Sequence, residues 1–98
     1  MKVSTVKEND KLTIAVEGRV DTTTAPELEK AILESIDGIT ELVLDLKEMS
    51  YISSAGLRVL LKAEKAMKSQ GKMKLINVSR DVMEILEMTG FSDILTIE

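Results

Sequence analysis

Cysteine and histidine are both absent from this sequence of 98 residues. Without cysteine the chain forms neither a disulfide bond nor a thiolate metal site. Without histidine it lacks the imidazole that completes Ser-His-Asp and Cys-His catalytic sites. Aromatic residues are almost absent too, since only Tyr51 and Phe91 occur. The core must therefore be built from aliphatic side chains and from methionine, which makes it somewhat pliable.

Long apolar runs and an excess of positive charge are also lacking. No segment approaches the roughly 20 apolar residues that a membrane-spanning helix needs. The opening segment MKVSTVKENDK is too polar for a signal peptide. The net charge is −4, whereas nucleic-acid binding favours a basic surface. We therefore expect a soluble, cytoplasmic protein that neither binds nucleic acid nor inserts into a membrane.

The motifs of common enzyme classes are missing as well. None of G-x-S-x-G, G-x-G-x-x-G and the Walker sequence occurs. The 17 acidic residues are scattered along the chain, and scattered carboxylates are far more often solvated surface than a catalytic pair. The sequence therefore predicts no enzymatic activity, no catalytic residue, no metal site and no cofactor.

The sequence does contain a regular succession of strand patterns. KVSTVK and the alternating KLTIAVEG, joined by a polar turn, predict a β-hairpin. ELVLDL is almost continuously apolar, which is typical of a strand buried on both faces. KMKLINV predicts another strand, and FSDILTIE predicts a short final strand or tail.

Three helices are predicted between these strands. TAPELEKAILESI begins with a capping box formed by Thr24 and Glu27. AGLRVLLKAEKAMKSQG is expected to end at Gly71, and SRDVMEILEMTG to be capped by Ser79. The order β-β-α-β-α-β-α-β predicts one α/β domain over residues 1–98. Its sheet should be mixed, with an N-terminal antiparallel hairpin and parallel βαβ units packed against helices.

Two adjacent serines open the second predicted helix, in the stretch YISSAGLRVLL. Either Ser53 or Ser54 can cap that helix. The first turn of a helix also tolerates an anion well. A phosphate on Ser54 would add about −1.5 to −2 charges without breaking the helix. The local pattern therefore allows two interpretations, an ordinary cap or a phosphorylation switch.

Three separated segments resemble the STAS domain of bacterial anti-sigma factor antagonists. EGRVDTTTAPELEKAI resembles the family's segment before its first helix, and LINVSRDVMEILEMTGF resembles its third helix. The signature of the family falls in DLKEMSYISSAGLRVLL. The matching positions there are Asp45, Tyr51, Ile52, Ser54, Gly56 and Leu57. The three segments stand in the family's order and cover nearly the whole chain, so the resemblance implies a STAS-like fold.

The resemblance also implies a partner switch. In that family the unphosphorylated antagonist binds an anti-sigma factor that is also a serine kinase, which frees a sigma factor. Phosphorylation loosens the complex and a serine phosphatase resets it. Carried over by position, the phosphoacceptor is Ser54, and we expect a monomer or a weak dimer. The residues expected to contact the partner are Asp21, Thr22, Ser53, Ser54, Gly56, Leu57 and Arg58.

Two departures from the family pattern leave alternatives open. Ser53 stands where the family most often has aspartate, so Ser53 is an alternative phosphoacceptor, and Ala55 stands where a second serine is common. The same departure permits another function, in which a STAS regulatory subunit controls a signalling enzyme or a transporter. A small enzyme or nucleotide-binding protein is a third hypothesis, disfavoured by the missing motifs.

The surface near the serines also has two interpretations. Arg58, Lys62 and Lys65 form a basic stripe that either faces a partner or is simply solvated, helped by a Glu64–Lys68 pair. Asp21 either braces the DTTT turn or contacts the partner. We expect Tyr51 to belong to the core at the top of the sheet.

Overall fold

An antiparallel hairpin begins the fold. In the computed structural model, which describes residues 1–98, β1 (Lys2–Glu8) pairs with β2 (Lys11–Val20) across a two-residue turn. Asn9 in that turn has a φ of 58°, a left-handed conformation that asparagine tolerates better than most residues. The predicted hairpin is confirmed.

Parallel strands extend the sheet on the other side of β2. β3 (Glu41–Asp45) runs parallel to β2, and β5 (Lys72–Ile76) runs parallel to β3, which gives the order β1-β2-β3-β5. A short strand, β4 (Met49–Ile52), pairs in parallel with the end of β2. The sequence patterns did not predict β4.

Of the two alternatives predicted for the C-terminal segment, a short strand or a tail, the structure shows a tail. The segment FSDILTIE contains a 3-10 turn at Phe91–Asp93 and then a single bridge between Ile97 and Leu75 of β5. The backbone N–H of Leu75 donates to the Thr96 carbonyl, and that of Glu98 donates to the Leu75 carbonyl. The tail is therefore fastened to the sheet edge without forming a strand of its own.

The three predicted helices are present with somewhat shorter bounds: α1 (Ala25–Leu33), α2 (Ser54–Lys68) and α3 (Arg80–Met88). Ser79 caps α3 as expected, because its Oγ accepts the Val82 N–H at 3.2 Å. Gly71 is not the cap of α2. Its Cα lies so close to the Thr40 carbonyl that a side chain there would overlap it, so glycine allows a close backbone approach.

The core is aliphatic and contains no buried polar residue. Alternate residues of β2 are buried in the core, as its alternating pattern predicts. β3 is buried on both faces, as its apolar run predicts, because Leu42, Val43 and Leu44 are all buried. The most completely buried large side chains are Ile14, Leu28, Ile32, Ile39, Leu42, Leu44, Leu46, Ile52, Leu60, Met67, Leu75 and Leu86. The α/β fold with a mixed sheet is therefore confirmed. None of its helices has the length and apolar character needed to cross a membrane.

Candidate functional site

The carboxyl ends of two parallel strands bring the predicted site residues together. Val20 of β2 lies beside Ile52 of β4, and the Ser53 N–H donates to the Val20 carbonyl at 2.8 Å. Each strand then turns directly into a helix, β2 through residues 21–24 into α1 and β4 through Ser53 into α2. The Asp21 loop and the serine pair are therefore neighbours, although about thirty residues separate them in the sequence.

Asp21 braces the turn that starts α1. Its Oδ1 accepts the N–H groups of Thr23 at 3.0 Å and Thr24 at 3.1 Å. In return, the Asp21 N–H donates to Thr24 Oγ1 at 2.8 Å. The predicted capping box of Thr24 with Glu27 is wrong, because Thr24 makes no side-chain cap bond and its hydroxyl is engaged by the Asp21 turn. The bracing interpretation of Asp21 is confirmed.

These hydrogen bonds favour the ionised form of the Asp21 carboxyl. The Thr24 N–H is the largest cause, and the Thr23 N–H, the Thr24 hydroxyl and the charge of Arg19 act in the same direction. Together they hold the pKa of Asp21 below its ordinary value of 3.8, against a smaller opposing effect of desolvation. The site therefore carries a fixed negative charge at neutral pH.

The two serines have different structural roles. Ser53 is the N-cap of α2, because its backbone is extended and its Oγ accepts the Gly56 N–H at 3.4 Å. Ser54 is the first helical residue, its side chain is exposed, and its hydroxyl makes no hydrogen bond within the chain. The structure thus resolves which serine caps the helix and leaves the hydroxyl of Ser54 free.

Gly56 and Leu57 are packing residues. Leu57 is only 3% exposed, and Gly56 is buried against Ile52 and Val20. The structure places both residues beneath the surface, which corrects the prediction that they contact a partner. The position of a side chain in the first turn depends on how the helix rests on the sheet, which the sequence motif does not reveal.

Tyr51 is half-buried and lies against Arg19, so the expected core position is only partly correct. The two residues are paired across β2 and β4, and the Arg19 guanidinium carbon lies 4.4 Å from the centre of the Tyr51 ring. Such a cation–π contact holds a positive charge close to Asp21. The sequence analysis did not identify Arg19 as a site residue. Its contact with Tyr51 depends on the pairing of β2 with β4, and β4 was not predicted.

A shallow groove of about 370 Å³ runs between α1 and α2 beside the serine pair. Lys62 of the predicted basic stripe crosses it to pair with Glu29 at 3.1 Å. The expected Glu64–Lys68 pair is not formed, and Lys62 is the residue of the stripe that pairs with α1. The residues that line the groove are Thr22, Ala25, Pro26, Glu29, Ala55, Arg58, Val59 and Lys62. No group of three residues capable of holding a metal ion occurs in the structure.

The hairpin, the parallel strands and the serine at the start of α2 agree with the STAS class of domain that the sequence resembles. The model of the STAS domain family matches residues 2–98, and the chain belongs to this family. A putative anti-sigma factor antagonist of Bordetella bronchiseptica, BtrV, is 35% identical over 99% of this chain and 85% of its own length. The anti-sigma-B factor antagonist of Listeria monocytogenes is 35% identical over 94% of this chain and 82% of its own.

Solved structures agree on the fold. An anti-sigma factor antagonist of Mycobacterium paratuberculosis superimposes with a TM-score of 0.87 at 22% identity, covering 98% of this chain and 83% of its own. The Bacillus cell fate determinant SpoIIAA, in its phosphorylated form, superimposes with a TM-score of 0.76 at 15% identity, covering 99% and 91%. The two relatives of 35% identity are both named as anti-sigma factor antagonists, in agreement with the resemblance seen in the sequence.

Proposed function

We propose that this chain is an anti-sigma factor antagonist controlled by phosphorylation of Ser54. The unphosphorylated form binds an anti-sigma factor that has serine kinase activity, and so releases a sigma factor. Phosphorylation of Ser54 weakens that complex, and a serine phosphatase restores the binding form. The observation that carries the proposal is the free, exposed hydroxyl of Ser54 at the first position of α2.

Ser54 is a better phosphoacceptor than Ser53 for a structural reason. The Ser53 side chain is half-buried and its Oγ already accepts a hydrogen bond from Gly56. Phosphorylation of Ser53 would require its Oγ to leave the hydrogen bond that caps α2. Loss of an N-cap typically lowers the stability of the protein by about 0.5–2 kcal/mol. Ser54 requires no such change, since nothing in the chain holds its hydroxyl.

A phosphate on Ser54 would alter the charge of the surface and leave the helix intact. It adds about −1.5 to −2 charges at a helix start, where the dipole favours an anion. Arg58 lies one helical turn further on, and its exposed guanidinium can reach such a phosphate. The charge of Asp21 is already present on the neighbouring loop. A partner that fits the unmodified surface would meet a locally more negative one.

The proposed contact surface consists of exposed or half-exposed residues in the loop before α1 and in the first turns of α2. It keeps Asp21, Thr22, Ser53, Ser54 and Arg58 from the sequence prediction and omits the two buried positions. Arg19 with Tyr51 and the groove residues adjoin it. This surface is continuous because β2 and β4 end side by side.

The test is phosphorylation followed by a binding measurement. The chain is incubated with ATP and the candidate anti-sigma factor kinases of its own genome, and peptide mass spectrometry locates the phosphate. Binding of the same kinases is then compared for wild type, Ser54→Ala and Ser54→Asp. We expect one phosphate on Ser54, binding retained by Ser54→Ala and weakened at least about tenfold by Ser54→Asp, which corresponds to about 1.4 kcal/mol.

Ser50 offers a matched control, because it is an exposed serine on β4 outside the proposed surface. Ser50→Asp introduces the same charge and should leave binding unchanged. Phosphate found on Ser53 would move the switch by one residue. Binding that is indifferent to Ser54→Asp would contradict the proposed mechanism.

A second candidate function is a STAS regulatory subunit for a target other than a sigma factor system, such as a signalling enzyme or a transporter. Ser53 is the observation that favours this candidate. The family most often has aspartate at this position, so the chain lacks a negative charge beside the phosphoacceptor and departs there from the pattern of the anti-sigma factor antagonists. The same panel of kinases separates the two functions. Under the second candidate none of the anti-sigma factors binds the unmodified chain.

A further inference from the structure

The outer edge of β1 is a regular strand edge that no other part of the chain covers. β1 is the terminal strand of the sheet, and six of its seven residues are exposed. It contains neither proline nor a bulge, two devices that commonly protect such edges. Val6 is 60% exposed in the middle of the strand. An edge of this kind is a template for adding another strand.

The hydrogen-bonding phase of the hairpin determines which groups face this edge. The Asp10 carbonyl accepts the N–H of Glu41 at the start of β3. Since the backbone groups of successive residues in a strand point to opposite sides, the even-numbered residues of β2 form hydrogen bonds with β3. The odd-numbered residues of β2 form theirs with β1. The odd residues of β2 pair with the even residues of β1. The N–H and C=O groups of Val3, Thr5 and Lys7 therefore point outward, and they make no hydrogen bond within the chain.

We propose that this edge pairs with the same edge of a second copy of the chain, antiparallel and with the two-fold axis at Thr5. In this register Thr5 lies opposite Thr5 of the second copy, and Val3 lies opposite Lys7 of the second copy. Every outward-facing backbone group of both strands then has a partner. A register shifted by two residues leaves one of them unpaired at each end.

Charge complementarity selects a second copy as the occupant. In the same register Lys2 lies opposite Glu8 of the second copy, on the face of the sheet where Lys2 also lies opposite Glu17 and Glu8 opposite Lys11. The row of side chains across the dimer is therefore Glu17 and Lys2 of one copy followed by Glu8 and Lys11 of the second copy, with charges of alternating sign. The two-fold symmetry produces a second, identical row. Opposite charges facing each other across strands are stabilising and like charges are destabilising.

The proposed dimer is weak and independent of the proposed switch. One pair of strand edges buries less surface than a standard interface, so association should be concentration-dependent. None of Asp21, Thr22, Ser54 and Arg58 belongs to β1. Variants of the edge therefore test the dimer while the binding surface for an anti-sigma factor remains intact.

The test is sedimentation of the untagged full chain with two charge reversals, Lys2→Glu and Glu8→Lys. Each single variant places like charges opposite each other in its own homodimer and should raise the dimer dissociation constant about tenfold or more. An equimolar mixture of the two variants forms a heterodimer in which both cross-chain pairs are again opposite in sign. We expect the mixture to recover dimerisation, a result that no effect within one chain can produce.

Two further observations complete the test. Lys30→Glu makes the same charge change as Lys2→Glu at an exposed position of α1, and it should leave dimerisation unaltered. Amide hydrogen exchange should show protection of Val3, Thr5 and Lys7 that grows with protein concentration, whereas Ser4 and Val6 are protected at every concentration. A wild-type chain that stays monomeric up to about 1 mM would overturn the proposal. So would a dimer that responds to neither reversal and shows no recovery in the mixture.

Discussion

At the scale of single residues, Gly56 sets how closely α2 approaches the sheet. A Cβ at this position would lie 2.6 Å from Ile52 Cγ1 and 2.8 Å from Val20 Cγ1, both belonging to buried side chains. We expect Gly56→Ala to destabilise the protein by about 1–3 kcal/mol, as overpacking commonly does. Urea unfolding measures this. Ser54→Ala, two positions earlier on the exposed surface, should stay within about 0.5 kcal/mol of wild type, and equal midpoints for the two variants would contradict the packing argument.

Asp21 predicts a pH dependence at the same scale. Its pKa is lowered in the folded chain, so its carboxylate stabilises the fold above the ordinary value of 3.8 and loses that effect as pH falls through the lowered value. Asp21→Asn should therefore be less stable than wild type at pH 7, with the difference shrinking below pH 3.8. Urea unfolding at both pH values measures this difference.

Asp37 provides the control for that measurement, because it is exposed and its carboxylate makes no hydrogen bond or ion pair in the chain. Asp37→Asn should change stability little at either pH. A stability difference for Asp21→Asn that is the same at pH 7 and pH 3 would show that the bracing bonds do not depend on the charge of Asp21.

At the scale of elements, the start of α2 depends on the Ser53 cap. The Ser53 Oγ accepts the Gly56 N–H at 3.4 Å, which is long for such a bond, so Ser53→Ala should cost near the lower end of the usual range of about 0.5–2 kcal/mol. Ser79→Ala removes the shorter cap of α3, at 3.2 Å, and should cost at least as much. Thermal or urea unfolding compares the two. A larger loss of stability for Ser54→Ala than for Ser53→Ala would indicate that Ser54, and not Ser53, caps α2.

The elements that the sequence predicted correctly have a clear local pattern, and this includes the short strands β3 and β5, of which β3 is an almost continuous apolar run. The hairpin and the three helices each repeat their apolar spacing over several residues, and this local signal is sufficient. β4 has only four residues, and it exists because β2 extends past β3 and offers a partner at Gly18–Val20. That pairing is a long-range property. The capping-box prediction was wrong for a similar reason. The Thr24 hydroxyl is hydrogen-bonded to the Asp21 N–H and carboxylate, and this turn cannot be inferred from the spacing of Thr24 and Glu27.

The candidate site was predictable in its position and less so in its details. The motif placed Ser54 at a helix start, but the choice between cap and free hydroxyl required the backbone conformation of Ser53. The burial of Leu57 depends on how α2 is rotated against the sheet, and the neighbourhood of Asp21 and Ser53 depends on the β2–β4 pairing. Sequence motifs identify residues of this kind, whereas their exposure follows from packing.

At the scale of the whole molecule, the proposed switch should change the surface and leave the fold unaltered. Ser54 is exposed, its hydroxyl bonds to nothing in the chain, and the helix dipole favours a negative charge at its position. Ser54→Asp should therefore be as stable as wild type or more stable by about 0.3–1 kcal/mol at low salt, with the gain reduced at high salt. Ser50→Asp adds the same charge on β4, away from any helix start, and should show no gain.

Urea unfolding at two salt concentrations, with circular dichroism to compare the folded states, measures all three proteins. A marked loss of stability or of helical signal in Ser54→Asp alone would mean that a negative charge at this position acts by disturbing α2, and the switch would then be conformational and not electrostatic.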